Sequence, residues 1–265
     1  MISEEKIKNG LDTIWVGSRI QCFEALDSTN IQAKKQAEEG APDGTLILAE
    51  EQSAGRGRRG RQWDTQPGTA IAMSLLMRPE IRPEKASMLT LVMGMAVTRA
   101  VNELFGLDCK IKWPNDVVLN GKKICGILTE MSADADGIKY VIIGCGINVN
   151  MTEFPKELQD KAISLRMITG REVSREEVIC CSMKYLEEYY SVFKETEDMS
   201  RLMEEYNRML VSTGCEVYIL EPGGEYRGIS EGINEAGELL VRKEDGSRVC
   251  VYAGEVSVRG IYGYV

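Results

Sequence analysis

The sequence predicts an α+β fold with a small all-β barrel at its C-terminal end. Two observations carry this. Up to about residue 212, short apolar runs of strand length alternate with longer helical patterns. Beyond it the chain turns glycine-rich: ten of the 26 glycines lie in the last 53 residues. Short alternating runs at 216–220, 225–233, 238–243, 248–252 and 255–259 are separated there by turns such as Asp245-Gly246. No repeat or low-complexity segment interrupts this order. At roughly 150 residues per domain, 265 residues suit one large domain over 1–212 and a small one over 213–265.

The elements follow in chain order. Thr29-Asn30-Ile31-Gln32 has the spacing of a capping box, with Thr29 as cap, and predicts a helix from Asn30 to Glu39 that stops at Gly40. Residues 45–50 read as a buried strand. A Gly/Arg loop covers 53–68, and Thr69–Met77 returns as a strand. Pro83 is placed to open a long helix ending near Phe105; it is apolar almost all round and so belongs at the centre. Asn120-Gly121 between two apolar runs predicts a type I′ hairpin. A strand over Tyr140–Val149 follows. Ser174-Arg175-Glu176-Glu177 is a second capping box, opening a helix with Ile179, Leu186, Tyr190 and Phe193 on one face. A last helix is expected over 199–211.

Composition excludes several chemistries. The chain contains no histidine. Ser-His-Asp and Cys-His pairs, HExxH zinc sites and imidazole bases are therefore out. With 32 basic and 41 acidic residues the net charge is −9, a field that opposes binding to polyanions in general. Eight cysteines without a CxxC, most inside apolar runs as small buried hydrophobes would be, read as free cytosolic thiols, and no metal site is expected. The acidic start lacks a secretory h-region. No stretch approaches the roughly 18 apolar residues of a membrane-spanning helix.

One segment stands out. Residues 52–63 read Gln-Ser-Ala-Gly-Arg-Gly-Arg-Arg-Gly-Arg-Gln-Trp, four arginines and no acid. Gly55 to Gly60 match GxGxxG, but no helix can start there before the next strand, so a dinucleotide site does not fit. A kinase glycine loop lacks its lysine and histidine partners, and no GxxxxGK[ST] occurs. Glycines that let backbone N–H groups approach a ligand, beside planar guanidinium forks, suit a phosphate or acyl phosphate. A solvated basic loop is the plain alternative. Four further blocks accompany it: Asp27-Ser28-Thr29-Asn30, Lys112-Trp113-Pro114-Asn115-Asp116, Lys122-Lys123-Ile124-Cys125-Gly126 and Gly144-Cys145-Gly146-Ile147-Asn148. Strict alternation along the hairpin would aim Lys123 and Cys125 to one face and Ile124 and Gly126 to the other.

These five blocks, in this order, resemble the biotin–protein ligases over essentially the whole chain. The resemblance implies a mixed sheet with helices, related to class II aminoacyl-tRNA synthetases, followed by an SH3-like barrel. It also implies a two-step reaction. The biotin carboxylate attacks the α-phosphate of ATP, with Mg2+, to give biotinyl-5′-AMP and pyrophosphate. A lysine of a biotin carboxyl carrier protein then displaces AMP.

Position by position, Ser28, Thr29, Asn30 and Gln52 match biotin head-group contacts. Gly55, Arg56, Gly57 and Arg58 match the loop over biotin and the acyl phosphate. Lys123, with Gly126 after it, matches the lysine on the biotin carboxylate. Arg61, Trp63, Asn115 and Asn148 match the ATP or adenylate side, which Arg58 shares. Lys123, Arg58 and Asp116 are the expected catalytic groups, with Asp116 orienting or deprotonating the incoming lysine. Only 26 residues precede Asp27, so the short form without a DNA-binding domain is implied. Specific DNA and membranes are not expected partners; a homodimer is compatible, and the location is cytoplasmic. The rivals are a lipoate or octanoate ligase and a basic-loop RNA-binding module.

Overall fold

The computed structural model describes residues 1–61, 63, 66–221, 224–253 and 257–260. Gln62 of the arginine-rich block and the start of the expected run 255–259 lie outside them. Strand β1 (Arg19–Leu26) pairs in parallel with β2 (Thr45–Gln52), and helix α2 (Thr29–Glu38) makes the crossover. Then β3 (Ala70–Met77), β4 (Lys110–Lys112), β5 (Asp116–Leu119), β6 (Lys122–Asp134) and β7 (Gly137–Asn148) complete a seven-stranded mixed sheet. Its order is β1-β2-β3-β7-β6-β5-β4. The sequence reading missed β1 and the leading helix α1 (Glu4–Gly10), because neither shows a clean apolar period.

The two sheet faces are covered differently. On one, α2 sets Ala33 and Ala37 against Ile47, Leu76 and Ile142. On the other lies the main core, built on α3 (Leu89–Phe105) and α5 (Arg175–Thr196). Met93, Met95, Val97 and Val101 of α3 are fully enclosed, each contributing roughly 1.5–3 kcal/mol of burial. Pro83 opens this element as expected, but as a 3-10 turn over Pro83–Met88 that runs into the α-helix. Pro83–Phe105 is long and apolar enough to cross a membrane by length and composition alone, but two-thirds of its most apolar 18-residue window is buried inside the fold, as befits a central core helix. Ser174 caps α5 by accepting from the Glu177 amide. Short helices α4 (Leu165–Thr169) and α6 (Met203–Met209) complete this layer; α6 is shorter than the expected 199–211 because Met199–Leu202 turn instead.

The C-terminal sheet is antiparallel: β8 (Glu216–Glu221), β9 (Gly224–Ile233), β10 (Leu239–Arg242), β11 (Arg248–Val251) and β12 (Ser257–Gly260), ordered β11-β10-β9-β8-β12. It docks through the β9–β10 turn. Trp113 Nε1 donates to the Gly237 carbonyl (3.0 Å), and Gly237 rests on Leu91 and Met88. Trp113, 2% exposed, thus clamps the C-terminal sheet to the larger one and is not a ligand platform.

Candidate active site

The site is built on the β5–β6 hairpin. Asn120 (φ 50°) and Gly121 (φ 75°) take the left-handed conformations a type I′ turn needs, as the dipeptide predicts. Past the turn the register shifts: Val118 faces Lys123, but Val117 faces Cys125, leaving Ile124 as an extra bulged residue. This overturns the expected alternation. The bulge resets the parity, so Lys123 shares a face with Gly126 while Ile124 and Cys125 are both enclosed. The Lys123 backbone is fixed on its other side by the 161–163 segment, donating to Lys161 O and accepting from the Ile163 amide. Its ammonium lies 2.7 Å from Asp116 Oδ1, and Asp116 is nearly buried. Asn115 Nδ2 also donates to that oxygen (3.1 Å) and to the Ile127 carbonyl.

Glycines form the floor. A Cβ on Gly126 would sit 2.6 Å from Lys123 Nζ, and one on Gly146 would overlap the Trp63 indole. Trp63 therefore lies across both glycines with Lys123 Nζ 5.6 Å from its ring, a cation–π contact. Trp63 Nε1 is buried with no partner among the described residues. The Trp63 amide donates to Gly55 O and the Gly57 amide to Arg61 O, which closes the loop on itself. Arg58 alone among the loop arginines turns inward. It donates to Asn115 Oδ1 (2.8 Å) and to the Ala253 carbonyl beyond β11 (3.0 Å), tying the C-terminal sheet region to the site. Burial lowers its pKa, Asp116 raises it, and Arg59 and Arg61 lower it again; the guanidinium stays charged throughout.

The second wall is the start of α2. Here the capping prediction is off by one residue. Ser28 is the N-cap, without a side-chain cap bond, and is 2% exposed. The Thr29 amide and hydroxyl instead both donate to Gln52 Oε1 (2.9 and 3.2 Å). Ser74 Oγ donates to Asn30 Oδ1 (2.6 Å) and lies 2.8 Å from Thr29 Oγ1. Asn30 Nδ2 donates to Glu130 Oε2 (2.7 Å) and to the Leu128 carbonyl (3.3 Å).

The structure thus gathers Thr29, Asn30, Gln52, Gly55, Arg58, Trp63, Asn115, Asp116, Lys123 and Gly126 around one cradle. Arg56 and Arg61 are exposed on the outside of the loop. Asn148 donates to Lys123 O and Ile163 O (3.3 Å each), so its carboxamide braces the segment behind Lys123. Three polar residues escaped the sequence reading: Ser74, Glu130 and Lys34. Ser74 had a signal, a lone hydroxyl in an otherwise apolar strand that burial obliges to find a partner. A buried ion pair was missed too. Glu50 accepts from Arg175 Nη1 and Nη2 (2.9 Å each) and from the Gly68 and Ile2 amides. Burial pushes Glu50 up, but these bonds and the Arg175 charge outweigh it and hold its pKa below 4.5.

All eight cysteines are free, as the sequence predicts; fewer are enclosed than their apolar surroundings suggest, with Cys109, Cys125 and Cys145 buried and Cys215 and Cys250 exposed. Cys125 and Cys145 touch at 3.5 Å beneath the glycine floor. Burial first, then this contact, pushes the Cys125 thiol well above its ordinary value, which makes it a core residue without thiolate chemistry.

A family profile described as the Biotin/lipoate A/B protein ligase family matches residues 22–148, and one for the biotin protein ligase C-terminal domain matches 214–259. The bifunctional ligase/repressor BirA of Bacillus subtilis is 36% identical over 97% of this chain and 79% of its own length. The chain belongs to the biotin protein ligase family. The biotin–[acetyl-CoA-carboxylase] ligase of Paracoccus denitrificans is 32% identical over 88% of this chain and 98% of its own. The solved biotin protein ligase of Aquifex aeolicus, in complex with biotin and ATP, superposes with a TM-score of 0.80 at 33% identity; the match covers 91% of this chain and 99% of that one. In this ligase the first matched segment spans every site residue from Ser28 to Asn148.

Proposed function

We propose that the chain activates biotin with ATP to biotinyl-5′-AMP and transfers the biotinyl group to a lysine of a biotin carboxyl carrier protein. The observation that carries this, beside family membership, is the Lys123 ammonium fixed over a glycine floor between the α2 wall and the arginine loop. In the first step a carboxylate oxygen forms a bond to the α-phosphorus, and the bond to the pyrophosphate oxygen breaks. Two anions must approach, so charge compensation is the main requirement. Lys123 is placed to hold the biotin carboxylate, and Arg58, tied to Asn115, to hold the phosphate. Thr29, Asn30 and Gln52, with Ser28 behind them, take the bicyclic head group. Gly55, Arg56 and Gly57 form the loop over it. Trp63 and Asn115 stand on the nucleotide side, to which Arg61, exposed on the loop, and Asn148, bracing the Lys123 segment, are assigned by the resemblance alone.

In the second step the acceptor amine attacks the anhydride carbonyl and AMP leaves. Asp116 accepts from both Lys123 and Asn115, which favours an orienting over a proton-accepting role. Among the described residues no three His, Cys, Asp or Glu side chains converge. Mg2+ would accompany the ATP phosphates and would supply charge neutralisation there. We also read 1–212 as the catalytic and 213–265 as the barrel domain. The reading places the enzyme in the cytoplasm, gives it no specific DNA partner and allows a homodimer.

The test uses pure protein, ATP, Mg2+ and a carrier domain. Labelled biotin should become acid-stable on the acceptor, and Lys123→Ala should slow adenylate formation by about 100-fold or more. Absence of biotin-dependent pyrophosphate release overturns the reading, and tighter calorimetric binding of lipoate than of biotin replaces it with a lipoate ligase.

A further inference from the structure

Asn30 is held in one orientation by groups outside the cradle. On β6, Gly126, Leu128 and Glu130 share the face on which α2 packs, while Thr129 points the other way to meet Thr90. Both Nδ2 protons of Asn30 are consumed, by Glu130 Oε2 and by the Leu128 carbonyl. Rotating the carboxamide by half a turn would set Oδ1 against two acceptors. Gly144 allows this placement, since a Cβ there would overlap Asn30 Oδ1. Lys34, one helical turn beyond Asn30 on α2, pairs with the other oxygen of Glu130. Asn30 Oδ1 takes one hydrogen bond from Ser74 and retains a second lone pair.

We propose that Glu130, neutralised by Lys34, is a positioning residue that makes Asn30 an obligate acceptor for a ureido N–H of the substrate. This rests on the biotin reading above. It assigns to the pair Glu130–Lys34 the selectivity for a cyclic urea over acids of similar length that lack an N–H, such as dithiolane or simple fatty acids. A carboxylate is suited to the task because it only accepts: it cannot satisfy the opposite orientation of Asn30. A glutamine can, by turning its own amide.

The experiment measures biotin-dependent pyrophosphate release for wild type, Glu130→Gln, Asn30→Ala and the double variant. Glu130→Gln should raise the KM for biotin about tenfold, leaving kcat and the KM for ATP within about twofold. In the Asn30→Ala background the same change should add less than about twofold, the non-additivity expected of a residue acting through another. The ratio of biotin to lipoate affinity should fall in Glu130→Gln. Should that variant fail to fold by circular dichroism, Lys34→Met probes the same relay from a partly exposed position and should raise the biotin KM alone. Additive effects, or equal losses toward biotin and ATP, overturn the proposal. Wild-type protein without biotin-dependent pyrophosphate release instead overturns the underlying function.

Discussion

Gly126→Ala separates the geometry of Lys123 from its presence. The added methyl would stand 2.6 Å from Lys123 Nζ and 2.8 Å from Cε. Carbon contacts settle near 3.5 Å, so the ammonium must retreat by about 0.9 Å. The retreat is cheap for the fold, because the obstacle is the end of a flexible side chain and Gly126 has an ordinary backbone conformation. It is expensive for chemistry: the 2.7 Å pair with Asp116 is disturbed, and a displacement near 1 Å is of the size that costs about 100-fold in rate. The expected outcome is a fall of about 100-fold in biotin-dependent pyrophosphate exchange, with a melting temperature within a few degrees of wild type. The Trp63 ring, 3.4 Å from the same methyl, should report the change in its emission. Activity within about threefold of wild type, with folding intact, would refute the claim that Lys123 acts from this fixed position.

Other outcomes follow from the same contacts. Arg175→Met leaves the Glu50 carboxylate buried without its partner and should cost about 3–5 kcal/mol in denaturant unfolding, much of it recovered when Glu50→Leu is added. Because Glu50 is held below 4.5, its advantage over Glu50→Gln should be full above that pH and disappear as the pH falls below it. Trp113→Phe strands the Gly237 carbonyl and should cost about 1–3 kcal/mol, with faster protease nicking near 211–215 as the barrel loosens. Arg58→Gly releases both Asn115 and the Ala253 carbonyl; bystander proteins incubated with it, biotin and ATP should be labelled several-fold faster than with wild type.

What was legible in the sequence was local or patterned. Asn120-Gly121 announces its hairpin, Ser174 its helix, and the glycine-spaced runs after 213 their antiparallel sheet, because each signal acts over a few residues. What escaped depends on pairing at long range. The bulge at Ile124 changes the face of Lys123, yet nothing in Lys-Lys-Ile-Cys-Gly marks where a residue will be skipped. Thr29 has the spacing of a cap, but Gln52, on a strand 23 residues away, takes its hydroxyl. Glu130 and Lys34 look like ordinary surface charges until α2 is laid on β6. The arginine loop was recognisable as cationic; that Arg58 alone turns inward follows from Asn115 and Ala253, which sequence order places far from it.

The missing histidine has a measurable consequence. No side chain in this protein carries an ordinary pKa between about 5 and 8. Burial moves thiols further from that window, Cys22 and Cys180 to about 11 and Cys109 to about 12, and the Arg175 contacts move Glu50 below it. A site built on Lys123, Arg58 and amide donors needs no proton transfer in adenylation, since a carboxylate attacks and pyrophosphate leaves as an anion. The single-turnover rate of adenylate formation should therefore be flat from about pH 6.5 to 8, apart from the ionisation of ATP itself. Transfer is different: the acceptor amine must be deprotonated to attack, so its rate should climb with pH across the same range. Rapid-quench measurement of the two steps separates them. A bell-shaped profile in the first step would mean that a lysine or carboxylate has been moved into the neutral range, and catalysis by fixed charge alone would no longer account for the chemistry.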